Sequence, residues 1–403
     1  MANKTLTFAR TIKAPVAEVY RLFTRASALR QWMCDAAQFE ARKGGRAYFA
    51  WNDGYQAVGT VGKIDAPKTV AYSWRGNGEP AASQVKITLK AKNGATQVAV
   101  THSGLGSGKA WALAVPGLES GWASGLENLQ SILETGEDLR IVRRPMLGIV
   151  GMNVLDGETA QKLGVPVKEG IAVGGTVPGM GAEAAGLLGS DVIISIGGKK
   201  TNTFQSLTGA LSIRHAGDTV PVVFYRGKEK LTKPMTLSRR PLPTMPTNGA
   251  ELAASLRAIH EREMATLTDV LKDATEAETS RRPAEGEWSV KEILAHILTN
   301  ERAAPDTIAE LLTDSGRWYD DFDNENFARN AGAIAVYGAT AELVNQIRAA
   351  HAELEAMCAA IPAATFASPR LAWQLGFGLL QSPTHIETHV AQIRAAIEAA
   401  RQA

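Results

Sequence analysis

The chain has 403 residues, 45% hydrophobic and 21% charged, with a formal net charge of +2. That length exceeds what one ordinary core serves and predicts two to three domains, in a composition typical of soluble globular proteins. Its basic residues are scattered and form no run interleaved with aromatics, which argues against nucleic acid as a partner.

No stretch of about 18 uninterrupted apolar residues occurs, so no membrane span is expected. The start, "MANKTLTFARTIKAP", lacks a basic segment followed by an apolar one, so no secretory signal is read. Cys34 and Cys358 are the only cysteines and lie far apart. A disulfide framework is therefore not expected, and the cytoplasm is the expected location. Charge is unevenly spread: residues 247–403 hold 13 Lys/Arg against 23 Asp/Glu, and the preceding 246 residues hold 30 against 18. Such asymmetry favours contact between the halves, or different partners for each.

Two connectors divide the chain. "EDLRIVRRPM" (137–146) is charged and ends near a proline, and "RRPLPTMPTNGAE" (239–251) carries three prolines and a glycine, which resist helix and strand alike. They leave domains expected at 1–138, 143–242 and 247–403, each of ordinary size.

The first domain opens with alternating residues, "TLTFARTIKA", that suggest a strand. "PVAEVYRLFTRASALRQWM" then reads as one or two short helices burying Val19, Leu22, Phe23, Leu29 and Trp32. Five strand-like runs bounded by turn signals follow, from "GRAYFAWN" to "TQVAVTHSG". The closing helix, "LESGWASGLENLQSILETG", repeats Trp122, Leu126, Leu129 and Leu133 at helical spacing. The expectation is an α+β helix-grip fold, with an antiparallel sheet wrapped round the last helix and an apolar cavity between them.

"ARTIKAPVAEVYRLFT", "LRQW", "RKGGRAYF", "AVGTVGKID", "VAYSWRG", "TQVAVTHSG" and "SGWASGLENLQSILETG" together resemble the START-like (SRPBCC) superfamily. The resemblance is to its branch of activators of the heat-shock ATPase chaperone. It implies a small apolar ligand, with Trp74, Trp122 and Leu126 as candidate cavity residues, or a partner-binding surface. It specifies no catalytic set. Trp122 is read as a core tryptophan and His102 as a hydrogen-bonded core histidine.

The middle domain has a different rhythm and is expected to be small and β-rich. "MLGIVGMNV", "VPGMGAEAAGL" and "DVIISIGG" resemble a PDZ domain of the kind attached to bacterial HtrA-type proteases. Ser190-Asp191 stands where many relatives have Gly-Asp. The resemblance implies strand addition by the C-terminal peptide of a protein partner. Its carboxylate would be held by the backbone of Leu147, Gly148 and Ile149, assisted by Arg144 or Arg143. The helix "SLTGALSIRH" forms the other wall, and with no histidine opening it, apolar peptide ends are preferred. No protease sequence accompanies the domain, so proteolysis is not implied.

The last domain reads as an all-α four-helix bundle, with helices near 249–273, 289–313, 339–360 and 383–402. A long polar loop, "DSGRWYDDFDNENFARNAGAIAVYGAT", follows the second. Ser289 with Glu292 forms a capping box, and Ser382 with Pro383 reads as the start of the fourth helix. Counted from these caps, His296, His385 and His389 fall within the first two turns at one end of the bundle. His385 and His389, four apart, share a face. Three imidazoles on two helices suit a zinc, nickel or iron(II) ion with open positions. Glu387 is a candidate base, Glu292 a cap, and His260 and His351 are flanking or core-edge residues.

"WSVKEILAHILTNE" with "THIETHVAQIRAAI" resembles the DinB/YfiT-like metalloenzymes, and the ligand triad transfers onto His296, His385 and His389. Some of that family are thiol S-transferases acting on low-molecular-weight thiols such as bacillithiol or mycothiol. The expected function is a metal-dependent enzyme, thiol S-transferase or hydrolase-like, carrying a ligand-binding and a peptide-binding domain. The alternative is a non-catalytic stress or adaptor protein that binds an apolar ligand or chaperone and protein C-termini.

Overall fold

The structure, a computed structural model, describes residues 4–313, 315 and 327–402. The first domain begins with β1 (Lys4–Ile12), α1 (Val16–Leu22) and α2 (Ala26–Trp32). The strands β2 (Ala36–Phe39), β3 (Arg46–Ala50), β4 (Gln56–Asp65), β5 (Thr69–Gly76), β6 (Ser83–Lys92) and β7 (Ala95–Leu105) precede α3 (Lys109–Glu134). The strands form one antiparallel sheet in the order β1-β7-β6-β5-β4-β3-β2. Alternation sets its faces: Val85, Ile87 and Leu89 of β6 are buried while Lys86 and Lys90 are exposed.

The α3 helix starts nine residues earlier than the sequence suggests and runs through Pro116. Proline removes one backbone donor, but burial of Trp111, Val115 and Leu118 favours continuing the helix. Val19, Leu22, Phe23, Leu29 and Trp32 are all buried, as their spacing predicts.

The middle domain comprises α4 (Leu139–Val142), β8 (Ile149–Val154), α5 (Gly157–Leu163), β9 (Ile171–Thr176), α6 (Gly181–Ala184) and β10 (Val192–Ile196). It continues with β11 (Lys199–Lys200), α7 (Phe204–Leu211), β12 (Thr219–Arg226) and β13 (Glu229–Thr236). Its sheet runs β13-β12-β10-β9-β8, with β11 added to β10, so β8 is an edge strand. Ser190 has a left-handed φ of 76°, which explains in backbone terms why glycine suits that position. Asp191, fully buried, accepts from Arg226 at two points of 2.8 Å and ties the turn to β12.

In the last domain, α8 (Gly249–Leu271), α9 (Glu276–Ser280), α10 (Val290–Thr313), α11 (Phe327–Tyr337) and α12 (Thr340–Ala359) come first. A 3-10 turn (Ala363–Ala367), α13 (Pro369–Leu380) and α14 (His385–Gln402) complete it. The four long helices make a bundle in which α8 packs on α12 and α14, and α10 packs on the same two. The sequence reading placed 314–340 in a loop. Residues 327–337 are helical instead, while 314 and 316–326 lie outside the described residues. The alanine-rich "ARNAGAIAVY" has high helix propensity that its polar lead-in masked.

Packing groups the chain differently from sequence order. Met1–Gly136 and Pro243–Ala403 form one compact unit, and Glu137–Leu242 forms another. Within the first unit α13 packs on α3. The buried Arg370 donates to Gln31 Oε1 at 2.8 Å and lies 3.7 Å from Glu18.

Candidate metal centre and peptide groove

The α10 start is built as its sequence suggests. Ser289 and Glu292 cap each other, at 2.8 Å from the Ser289 N–H and 3.3 Å from the Glu292 N–H. The α14 start is not. Thr384, rather than Ser382, caps the helix, paired with Glu387: their backbone N–H groups donate to each other's side chains at 2.8 and 3.3 Å. His385 is thus the first residue of the helix and His389 lies one turn on.

The three histidines meet. His385 Nε2 lies 3.1 Å from His296 Nε2 and 3.1 Å from His389 Nε2. Ring centroids are 4.8–5.1 Å apart. His389 Nδ1 is 2.9 Å from Gln392 Oε1, which orients that ring, and Trp288 stands 5.0 Å from the buried His296 ring. Burial, then the neighbouring imidazoles, push the His296 pKa down to about 4. Burial and His389 lower that of His385 against the pull of Glu301.

With its proton on Nδ1, as the Gln392 Oε1 contact favours for His389, an imidazole turns its Nε2 lone pair toward the other two, where a shared cation would take it. Two nitrogens bound tetrahedrally to zinc at 2.0–2.1 Å stand about 3.3 Å apart, close to the spacing here. The donor set therefore fits a divalent ion. Glu387, the candidate base, is occupied as a cap and accepts from Thr384 and Ser382. Sequence reasoning missed Trp288 and the carboxylates of Glu301 and Glu263, because no spacing rule ties them to the triad.

In the middle domain, Gly148 has φ 78°, and a Cβ there would meet Met180 Cβ at 2.2 Å. The Leu147 carbonyl accepts from Ala182 N–H and that of Gly148 from Val177 N–H, each at 2.8 Å. Each planar trans peptide points its N–H opposite to its carbonyl. The Gly148 and Ile149 amides are thereby directed away from the domain body. Arg144 Nη2 is 3.5 Å from Thr208 Oγ1 on α7, on the far side of the groove. Arg240, overlooked in the sequence, joins it: burial and the Arg144 charge lower the Arg240 pKa. Val150 and Val154 of β8 are exposed apolar residues along this edge, and Phe204 at the start of α7 is exposed as well. The helix spans 204–211, ending before Arg214 and His215.

The first domain's candidate cavity residues are core. Trp74, Trp122 and Leu126 are at most 5% exposed, and Trp74 stacks on Phe49 at 5.2 Å and lies 6.1 Å from Trp122. Trp122 Nε1 donates to His102 Nδ1 at 3.1 Å, so Nε2 carries the proton and donates to Ser83 Oγ at 2.7 Å. Ser83 in turn donates to the Trp74 carbonyl at 3.1 Å. That polarity leaves His102 unable to take a proton from Ser83. Both residues are buried in the core, as expected of each, and the hydrogen bond between them is a finding of the structure.

Comparison with known proteins finds three family profiles in this order. Residues 13–134 match "Activator of Hsp90 ATPase homolog 1-like protein", 146–236 match "PDZ domain" and 259–393 match "DinB superfamily". Two curated relatives are a probable periplasmic serine protease do/HhoA-like of Haemophilus influenzae and the periplasmic pH-dependent serine endoprotease DegQ of Escherichia coli. The first is 33% identical over 115 residues, 28% of this chain and 22% of that protein. The second is 28% identical over 145 residues, 36% of this chain and 29% of that protein. The chain thus spans under a third of either relative's length. Among solved structures, the Aha1 dimer from Colwellia psychrerythraea is 23% identical, covering 33% of this chain and 98% of that one, with a TM-score of 0.30. An HSP90 activator from Plasmodium falciparum is 18% identical over 32% of this chain and 94% of that one, with a TM-score of 0.29. The chain carries START-like, PDZ and DinB-type domains in that order.

Proposed function

We propose that the chain is a metal-dependent enzyme of the DinB type, with His296, His385 and His389 as ligands of zinc, nickel or iron(II) and thiol S-transfer as the reaction class. The convergence of three Nε2 atoms from two helices carries this reading. When bound, the ion lowers the pKa of a thiol or water and so supplies a nucleophile at neutral pH. The chain's part is to hold the imidazoles on rigid helices, with Gln392 orienting His389 and Trp288 shielding one side of His296 from water.

The PDZ domain takes a partner's C-terminal peptide, with Leu147, Gly148, Ile149 and Arg144 around its carboxylate. Edge strand β8 and its exposed valines support strand addition. A cytoplasmic location belongs to this reading. Among the described residues no helix is long and apolar enough to cross a membrane, while the two curated relatives are periplasmic by name. Fractionation of cells expressing the chain decides between the compartments.

The filled core around Trp74 and Trp122 favours a second reading, in which the first domain offers a surface to a partner and the whole acts as an adaptor. Metal analysis of the untagged chain against His296→Ala tests the centre: the variant carries one equivalent fewer, and equal content overturns the triad. A thiol-transfer screen with monochlorobimane then separates the readings. Turnover lost in His296→Ala marks the enzyme, and none with any common thiol marks the adaptor.

A further inference from the structure

Deeper in the bundle, α8, α10 and α12 bring together a second set of donors that the proposed reaction does not use. His260 and Glu263 lie one turn apart on α8, as do His351 and Glu355 on α12, while Glu301 follows His296 by five residues on α10. His260 and His351 are 6% and 2% exposed. The sequence reading of the two as flanking or core-edge residues is thereby corrected, since their helices, distant in sequence, pack side by side.

Two observations separate these residues from an ordinary buried polar cluster. His260 Nδ1 is 2.8 Å from Glu355 Oε1, and Glu355 also accepts from Arg257 Nε at 3.0 Å. A carboxylate only accepts, so Nδ1 carries the His260 proton and Nε2 keeps its lone pair. That is how a carboxylate orients a metal-ligating imidazole. His351 is the second observation: neither of its buried ring nitrogens has a hydrogen-bond partner among the described residues. A buried polar group left so is destabilising unless something else satisfies it. Its Nε2 stands 3.5 Å from Glu301 Oε2, near the ~3.4 Å between two ligands of one tetrahedral ion. One ligand atom from each of His260, Glu301 and His351 falls within 4.8 Å of the others.

We propose that His260, Glu301 and His351 form a second divalent-cation site, distinct from the three-histidine centre. Two imidazoles and a carboxylate suit zinc, iron(II) or nickel, and three protein ligands leave a position open. The buried carboxylate of Glu263, which accepts from Thr384, adds negative potential beside the site. The two rings now stack face to face, 3.7 Å between centroids and 11° between planes, so their in-plane lone pairs run side by side. Sharing an ion turns one ring about its Cβ–Cγ bond. His351 is the one that turns, because His260 is anchored on Glu355.

The test is stoichiometry, independent of activity. The full chain is stripped with a chelator, reloaded with zinc, dialysed and assayed for zinc per chain. Two equivalents are expected for the wild type, one each for His351→Asn, Glu301→Gln and His296→Ala, and none for His296→Ala combined with His351→Asn. A wild type that saturates at one equivalent, lost in His296→Ala and kept in His351→Asn and Glu301→Gln, overturns the second site, as do His351→Asn and Glu301→Gln variants that still hold two. A pair held by stacking alone gives that result. Should His351→Asn fail to fold, Glu301→Gln and the wild-type count decide. Failure of the three-histidine reading looks different: His296→Ala then keeps the wild-type content while the other variants lose one.

Discussion

Two buried histidines show how one residue type serves two ends. His102 and His296 are both pushed to a pKa of about 4 by burial, but His102 has both nitrogens bonded within the core and His296 presents its Nε2 to two other imidazoles. For His102 the folded pKa lies below the ~6.5 of an exposed imidazole, so the unfolded chain binds the extra proton between those values. The stability it carries is present above pH ~6.5 and is lost as pH falls toward 4. Urea midpoints at pH 7 and 4.5 should fall further for the wild type than for His102→Gln. Equal falls would refute the assignment. Glu387 makes the complementary case. As a cap, its replacement by alanine should cost about 1 kcal/mol of stability and leave metal content unchanged. Loss of the ion in that variant would return Glu387 to the site.

At the scale of elements, the middle domain depends on one turn and one edge. Gly148 combines a left-handed backbone with a Cβ position already filled by Met180, so Gly148→Ala must shift the loop whose amides face outward. Binding of a peptide with an apolar C-terminus should weaken by roughly tenfold, equivalent to about 1.4 kcal/mol. Amidating that terminus should weaken it comparably. Fluorescence polarisation measures both, and equal affinity for acid and amide peptides would remove the carboxylate from the reading. The bundle's elements were partly legible in sequence. Ser289 and Glu292 marked the α10 start because a capping box is local. The α14 start was misplaced by two residues because Ser382, Pro383 and Thr384 all satisfy local rules, and α11 and α13 were missed, the latter although Ser368 and Pro369 give it the same kind of start signal.

For the whole molecule, the charge asymmetry pointed to contact between the halves, and the first and last domains do share a compact unit. The contact differs in kind from attraction between exposed charges. Arg370 is 2% exposed and reaches Gln31 and Glu18, beside the packing of α13 on α3. Buried pairs are little screened by salt. The joint melting of the first and last domains in calorimetry should therefore be the same at low and high salt. Arg370→Ala, which takes the donor from half-buried Gln31 and the ion partner from half-buried Glu18, should cost about 1 kcal/mol and let the two domains melt apart in calorimetry. A single unchanged transition would show that Arg370 does not couple them.

Periodicity, capping and turn chemistry are carried by neighbours in the chain, so the sequence alone determined the order of three domains, their secondary-structure classes and a histidine triad whose members sit on two cap-marked helices. Contacts between distant helices have no such local signature. Only the tertiary structure decided that His260 and His351 stack within the bundle, that Trp74, Trp122 and Leu126 fill a core, and that the first and last domains pack together. Each depends on which faces meet once the chain has folded, because burial and lone-pair direction are properties of the packed molecule.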